Sequence, residues 1–69
     1  MISGYIKSAE QSVNFSKQTL AILNACHSSI NKSRSPDPAL VERSSNLIAN
    51  QTAMLDSEET ILRNLKALT

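Results

Sequence analysis

The chain contains one glycine, two prolines, one cysteine and no tryptophan, and its only aromatic residues are Tyr5 and Phe15. Aromatic side chains supply much of the buried area in small cores, so their scarcity predicts a thin core. Ordering 69 residues costs about 100 kcal/mol of conformational entropy, which requires roughly 4,000 Å² of apolar burial. We therefore expect a single domain over residues 1–69 that depends on a partner for part of its stability.

The scarcity of cysteine, histidine and net charge excludes several functional classes. Cys26 has no second cysteine to pair with and His27 is the only histidine, so we expect neither a disulfide framework nor a metal-ligand cluster, and no cofactor. Seven basic and six acidic residues are scattered along the chain, which argues against nucleic acid as the main ligand.

Long apolar runs are also missing. The longest uninterrupted apolar stretch covers residues 20–23, far less than a membrane span needs. The first residues lack the basic and apolar regions of a secretory signal peptide. We therefore expect a protein made in the cytoplasm, without a cleavable signal peptide and without a membrane span.

The N-terminal half carries apolar residues in alternating steps of four and three, which is the spacing of a helix with one packing seam. This spacing predicts a helix over about residues 3–31. The polar residues Ser16 and His27 occupy positions within its seam. The apolar residues expected to drive assembly from this helix are Ile6, Val13, Leu20 and Leu23.

Two prolines near the middle of the chain mark a turn. Asp37 is suited to cap a helix, Pro38 is suited to its first turn, and the residue before each proline is pushed out of the helical region. Pro36, Asp37 and Pro38 therefore predict a turn at about residues 32–37 and a second helix at about 37–68. Such a short connection returns the second helix antiparallel to the first, giving an all-α, two-helix antiparallel hairpin.

The second helix repeats apolar residues every seven positions, and most of them are followed by another apolar residue. At the centre of this stripe lies a row that also contains three polar residues, Ser44, Gln51 and Glu58. Lone polar residues in a coiled-coil seam usually specify register or pairing at a cost in stability. The apolar residues expected to drive assembly from this helix are Leu40, Leu47, Met54, Ile61 and Leu65.

Cys26 and His27 are the only neighbours that suggest a nucleophile with its base. Adjacent residues on a helix point about 100° apart, and neither a second histidine nor a glycine-rich oxyanion turn accompanies them. We therefore expect no enzymatic activity, with Cys26 as a small buried hydrophobic residue. Arg63 and Lys66 lie in the last turns of the second helix, where cations complement the helix dipole.

Three short segments resemble the needle subunits of bacterial type III secretion systems, which are helical hairpins that polymerise into a hollow tube. Residues 3–6 resemble the start of some members, residues 36–40 resemble the turn between the two needle helices, and residues 61–66 are similar to an apolar–basic run in the second helix. The resemblance implies a non-enzymatic subunit that is exported to the cell surface and forms a filament. It also implies that Arg63 and Lys66 face the lumen of the tube.

A weaker resemblance joins residues 46–53 to the C-terminal helix of flagellar rod and hook proteins, which are also exported axial subunits. Both resemblances imply that the partners are further copies of the chain and a helical protein such as an export chaperone. Two other functions stay open. One is a small cytoplasmic hairpin chaperone or adaptor that binds an amphipathic helix of a partner. The other is a homodimeric four-helix bundle with a regulatory function.

Overall fold

The computed structural model describes residues 1–69 and contains two helices with a turn between them. Helix α1 spans Ile2–Asn31 and helix α2 spans Pro38–Ala67, and each contains 30 residues. The helices pack along each other, and the molecule measures 52 × 14 × 12 Å. The predicted all-α hairpin is confirmed, and each helix boundary falls within one residue of its predicted position.

The turn between the helices is built without glycine. Asp37 is the N-cap of α2 with an extended backbone (φ −76°, ψ 117°), and its carboxylate accepts a hydrogen bond of 2.9 Å from the Ala39 N–H. Pro38 follows as the first residue of the helix, a position where its missing N–H has no cost. At the end of α1, the Ser33 hydroxyl donates to the Ile30 carbonyl at 2.8 Å. No residue has a positive φ, so the turn does not need the conformational freedom of glycine.

The two helices meet along a seam in which residues recur in steps of three and four. In coiled-coil terms these residues occupy the a and d positions of successive heptads. On α1 the seam comprises Ile6, Ala9, Val13, Ser16, Leu20, Leu23, His27 and Ile30. On α2 it comprises Val41, Ser44, Ile48, Gln51, Leu55, Glu58, Leu62 and Leu65.

The core of the hairpin is thin. Only Val13, Ser16 and Ser44 are buried, with 4%, 4% and 7% of their surface exposed, and two of these three are serines. Small side chains allow the helix backbones to approach closely but remove little apolar area from water. The radius of gyration of 15.8 Å also exceeds the value of about 11 Å expected for a compact domain of this length. Little of the stability of this fold therefore comes from hydrophobic burial within one chain.

Candidate functional site

A carboxylate is held in the seam by two hydroxyl groups. Ser12 and Ser16 lie one turn apart on α1, and they donate hydrogen bonds to Oε2 and Oε1 of Glu58 on α2, respectively. These bonds, that of Ser12 first, favour the charged form and hold the pKa of Glu58 below its ordinary value of 4.5, although burial acts in the opposite direction. The half-buried Glu58 therefore remains ionised between two helices while both of its oxygens have a donor.

A second polar layer lies near the turn. The Asn31 side-chain amide donates to Nε2 of His27 at 3.1 Å, which places the ring proton on Nδ1. That Nδ1–H donates across the seam to the Ser44 hydroxyl, which in turn donates to the Val41 carbonyl at 3.0 Å. No buried side-chain nitrogen or oxygen in the chain lacks a hydrogen-bond partner. The polar groups in this layer are therefore satisfied without the help of a ligand.

Both polar layers pair a small serine on one helix with a long polar side chain on the other. Ser16 faces Glu58, and Ser44 faces His27. Sliding one helix by a heptad would set Ser16 opposite Gln51 or Leu65, and Glu58 would lose both serine hydroxyl groups and lie opposite Ala9 or Leu23. Because an unpaired charge in a seam is costly, this arrangement favours a single register.

The geometry does not assemble an acid–base or nucleophilic site. His27 lies 11 residues after Ser16 on α1, which separates the His27 and Glu58 layers by about 16 Å along the helix. Cys26 is exposed, so the expectation that it is buried was wrong. Its position one residue before a seam residue turns it out of the interface. The hydrogen bonds of the seam serve the pairing of the helices.

A continuous apolar row runs along the outside of α2. Its five members recur every seven residues, and between 47% and 68% of each side chain is exposed. They occupy the g position, next to the seam, on the side where Ser12 of α1 and Ile61 of α2 line one shallow depression. We call this set the Leu40–Leu68 row. It comprises Leu40, Leu47, Met54, Ile61 and Leu68.

Helix α1 extends this apolar surface. Its g positions on the same side of the hairpin carry Tyr5, Ser12, Thr19 and Cys26, none of which is charged. Phe15 and Ile22 lie at the adjoining outer edge of α1 and are 70% and 63% exposed. We call the Leu40–Leu68 row and these α1 residues together the apolar face. Nothing within the chain covers it.

The opposite side of the hairpin is charged. Lys17 of α1 lies there with Glu59, Arg63 and Lys66 of α2 around one depression. By heptad position, every charged side chain of the two helices lies on this side or its outer edge, with the exceptions of Arg43 and Glu58. The set comprises Lys7, Glu10, Lys17, Glu42, Asp56, Glu59, Arg63 and Lys66. The hairpin is thus a ribbon with one apolar face and one charged face.

The structure separates the residues predicted to drive assembly into two groups. The first group lies in the seam and comprises Ile6, Val13, Leu20, Leu23 and Leu65. The second group lies exposed on the apolar face and comprises Leu40, Leu47, Met54 and Ile61. The predicted polar residues Ser16, His27, Ser44, Gln51 and Glu58 all lie in the seam.

The bond between Ser12 and Glu58 was not predicted from the sequence. The available signal was its spacing of four residues from Ser16, which places both hydroxyl groups on one side of α1. Arg63 and Lys66 are exposed, and Pro36 lies in the turn just before the Asp37 cap.

The chain contains no group of three or more histidine, cysteine, aspartate or glutamate side chains arranged to hold a metal ion. Neither α1 nor α2 combines the length and the apolarity that crossing a lipid bilayer requires. Comparison of the chain with models of protein families, with characterised proteins and with solved structures finds no match.

Proposed function

We propose that the protein is a non-enzymatic structural subunit that assembles with copies of itself, through helix packing, into a needle-like or axial filament of a type III export apparatus. The apolar face is the observation that carries this proposal. It presents five large apolar side chains in one row on α2, and no part of the chain covers them. An exposed apolar surface of this length is typical of a protein-interaction site.

The heptad pattern of α2 supports a helical partner. A helix that packs on one other helix needs apolar residues at a and d alone, whereas a helix inside a bundle adds e or g. Helix α2 adds the complete g row, from Leu40 to Leu68. This pattern is typical of a helix that packs against two others. One of them is α1, and the other would come from outside the chain.

We assign the filament to an export apparatus because segments of the sequence resemble needle subunits and flagellar axial proteins. The thin core is compatible with it, because a chain with only three buried residues loses little on unfolding for export. Order is then regained by packing against neighbouring copies at the growing end. In such a tube, Arg63 and Lys66 face the lumen, and their charges keep the wall wet.

The test is the state of the purified protein as its concentration rises. We expect helicity by circular dichroism and mass by sedimentation velocity to increase together, and electron micrographs at high concentration to show filaments. A monomer with a sharp thermal transition that is independent of concentration would contradict self-assembly. A constant mass that increases only when an amphipathic helical peptide is added would instead support the chaperone or adaptor function.

A further inference from the structure

We infer that the apolar face is covered by the same face of a second copy of the chain, with the two α2 helices antiparallel and Met54 beside the two-fold axis. This inference rests on the proposed self-assembly and specifies its first contact. The product is a dimeric four-helix bundle in which each α2 packs on its own α1 through the seam and on the second α2 through the Leu40–Leu68 row.

The exposed area of the hairpin matches what a dimer needs. The chain exposes 5,215 Å², whereas a compact monomer of 7.5 kDa exposes about 4,200 Å². The excess of about 1,000 Å² is close to the roughly 800 Å² that each partner buries in a stable interface. One copy of the same face supplies an equal excess, so pairing of the two faces covers both in the first contact of the assembly.

The row on α2 is suited to antiparallel pairing with itself. Met54 is its midpoint, with two apolar residues at intervals of about 10.5 Å on either side. In an antiparallel pair, Leu47 of one copy meets Ile61 of the other, and Leu40 meets Leu68. Every member of the row then contacts an apolar side chain. A strict seven-residue period keeps such a row in contact over its whole length when the helices supercoil.

Charge selects the antiparallel orientation over the parallel one. Arg43 is the only charged side chain on α2 that borders the outer edge of the row. Parallel pairing would bring Arg43 of both copies together, whereas antiparallel pairing about Met54 separates them by about 33 Å. Apart from Arg43, the one charge on this side is the Glu58 carboxylate, which lines the depressions beside Met54 and Ile61. It accepts hydrogen bonds from Ser12 and Ser16, and antiparallel pairing about Met54 keeps the Glu58 residues of the two copies about 12 Å apart along the helix axis, whereas parallel pairing would bring them together.

The g positions of α1 fit the same two-fold axis. They run from Tyr5 to Cys26 and have their midpoint between residues 15 and 16. The bonds from Ser12 and Ser16 to Glu58 set this midpoint within about one helical turn of Met54 along the hairpin. A single two-fold axis therefore places the apolar row of one α2 against the apolar row of the other α2. The same axis places Ser12 of each copy near Thr19 of the other.

The first experiment places a charge on the axis. Met54→Glu sets two carboxylates against each other in the proposed dimer, and Ala49→Glu adds the same group to the same helix on its charged side, where residue 49 is exposed. We expect Met54→Glu to raise the dissociation constant for self-association by at least about 100-fold, and Ala49→Glu to change it less than about threefold. Sedimentation equilibrium measures both constants, and circular dichroism reports whether each variant remains helical.

The second experiment maps the pairing by disulfide formation in a Cys26→Ser background. Met54→Cys should cross-link to itself under mild oxidation. Leu47→Cys and Ile61→Cys should each remain largely uncrosslinked alone and form a heterodimer when mixed. If α2 packed against α1 of the second copy at the same level, Met54→Cys would instead cross-link with a cysteine at a g position of α1, such as Thr19→Cys.

The outcomes separate this inference from the proposed function. A wild-type chain that stays monomeric at millimolar concentration overturns both. Self-association that Met54→Glu leaves unchanged retains the subunit function but overturns the apolar face as the contact. Self-association that Met54→Glu abolishes, combined with cross-links only between α2 and α1, overturns the antiparallel α2 pairing. Cross-links at Met54 and between Leu47 and Ile61 support the dimer in full.

Discussion

Ser16 of α1 and Glu58 of α2 form a hydrogen bond across the seam although 42 residues separate them in the chain. Ser16 is one of only three buried residues, so this bond reaches the buried part of the seam. Together with the bond from Ser12, it fixes the axial position of α2 against α1. The hairpin is therefore aligned by polar contacts at its centre, while large apolar side chains lie on its outside.

The first prediction concerns acid stability. The pKa of Glu58 is lowered in the folded chain by the hydrogen bonds from Ser12 and Ser16, so the unfolded chain binds a proton more readily. The stability from this carboxylate is fully present above its ordinary pKa of 4.5 and is lost as pH falls through the lower folded value. We expect Glu58→Gln to reduce the loss of stability between about pH 5 and pH 3, as measured by urea denaturation at each pH.

Glu42→Gln is the matched control for this prediction, because Glu42 is an exposed residue of the same helix and bonds to neither serine. At equal protein concentration, this variant should lose as much stability in acid as the wild-type chain does. If Glu58→Gln and the wild type lost the same free energy of unfolding between about pH 5 and pH 3, the hydrogen bonds from the two serines would not make folding depend on proton binding.

The fold was predictable where the sequence carries strong local signals. The seven-residue period and the absence of glycine and proline from residues 5–35 predict long helices, and Asp37 with Pro38 predicts where the second one begins. Which of two adjacent apolar rows of α2 packs on α1 was not predictable from the period. Both the row that begins at Leu40 and the row that begins at Val41 are apolar at successive heptads.

Packing selects the second row. Its contact with α1 places Ser44 opposite His27 and Glu58 opposite Ser16. Such cross-helix pairs depend on the register of two segments, which one segment alone does not encode. For the same reason, the exposed position of Cys26 could not be deduced from its apolar character.

The second prediction concerns register. Replacing Gln51 and Glu58 together by leucine makes the seam more apolar and removes the carboxylate that the two serines recognise. We expect the midpoint of denaturation to rise. We also expect native mass spectrometry to show several oligomeric states in place of one. The control replaces Ala49 and Asp56 by leucine. These two residues are also seven positions apart, but they lie outside the seam. A single assembly of unchanged size for the seam variant would contradict the role of these polar residues.

The third prediction concerns the start of α2. Asp37→Ala removes the side-chain acceptor for the Ala39 N–H and should cost about 1 kcal/mol, which lowers the melting temperature by roughly 4–8 °C in a domain of this size. Asp37→Asn keeps a capping oxygen and should remain close to the wild type. Thermal unfolding by circular dichroism at one fixed protein concentration measures both. Equal melting temperatures for Asp37→Ala and Asp37→Asn would show that the cap does not limit stability.

The last prediction concerns the two basic residues near the end of α2. Arg63 and Lys66 lie exposed on the charged face, and only Lys66 belongs to the last turn, where a cation complements the helix dipole by about 0.3 to 1 kcal/mol. Because neither residue touches the apolar face, Arg63→Gln with Lys66→Gln should leave self-association unchanged. Sedimentation equilibrium should give the same association constant for this variant and the wild type, with a small decrease in melting temperature.

The same variant separates a lumen role from a dipole role. If these residues line a channel, the uncharged variant should form filaments of normal shape while the secretion of cargo by the export apparatus changes, because a wet and charged wall resists adhesion of apolar segments. Lys17→Gln supplies a control, since it removes a cation from the same depression on α1. Filaments of normal shape with unchanged secretion would leave Arg63 and Lys66 with their local effect on α2 alone.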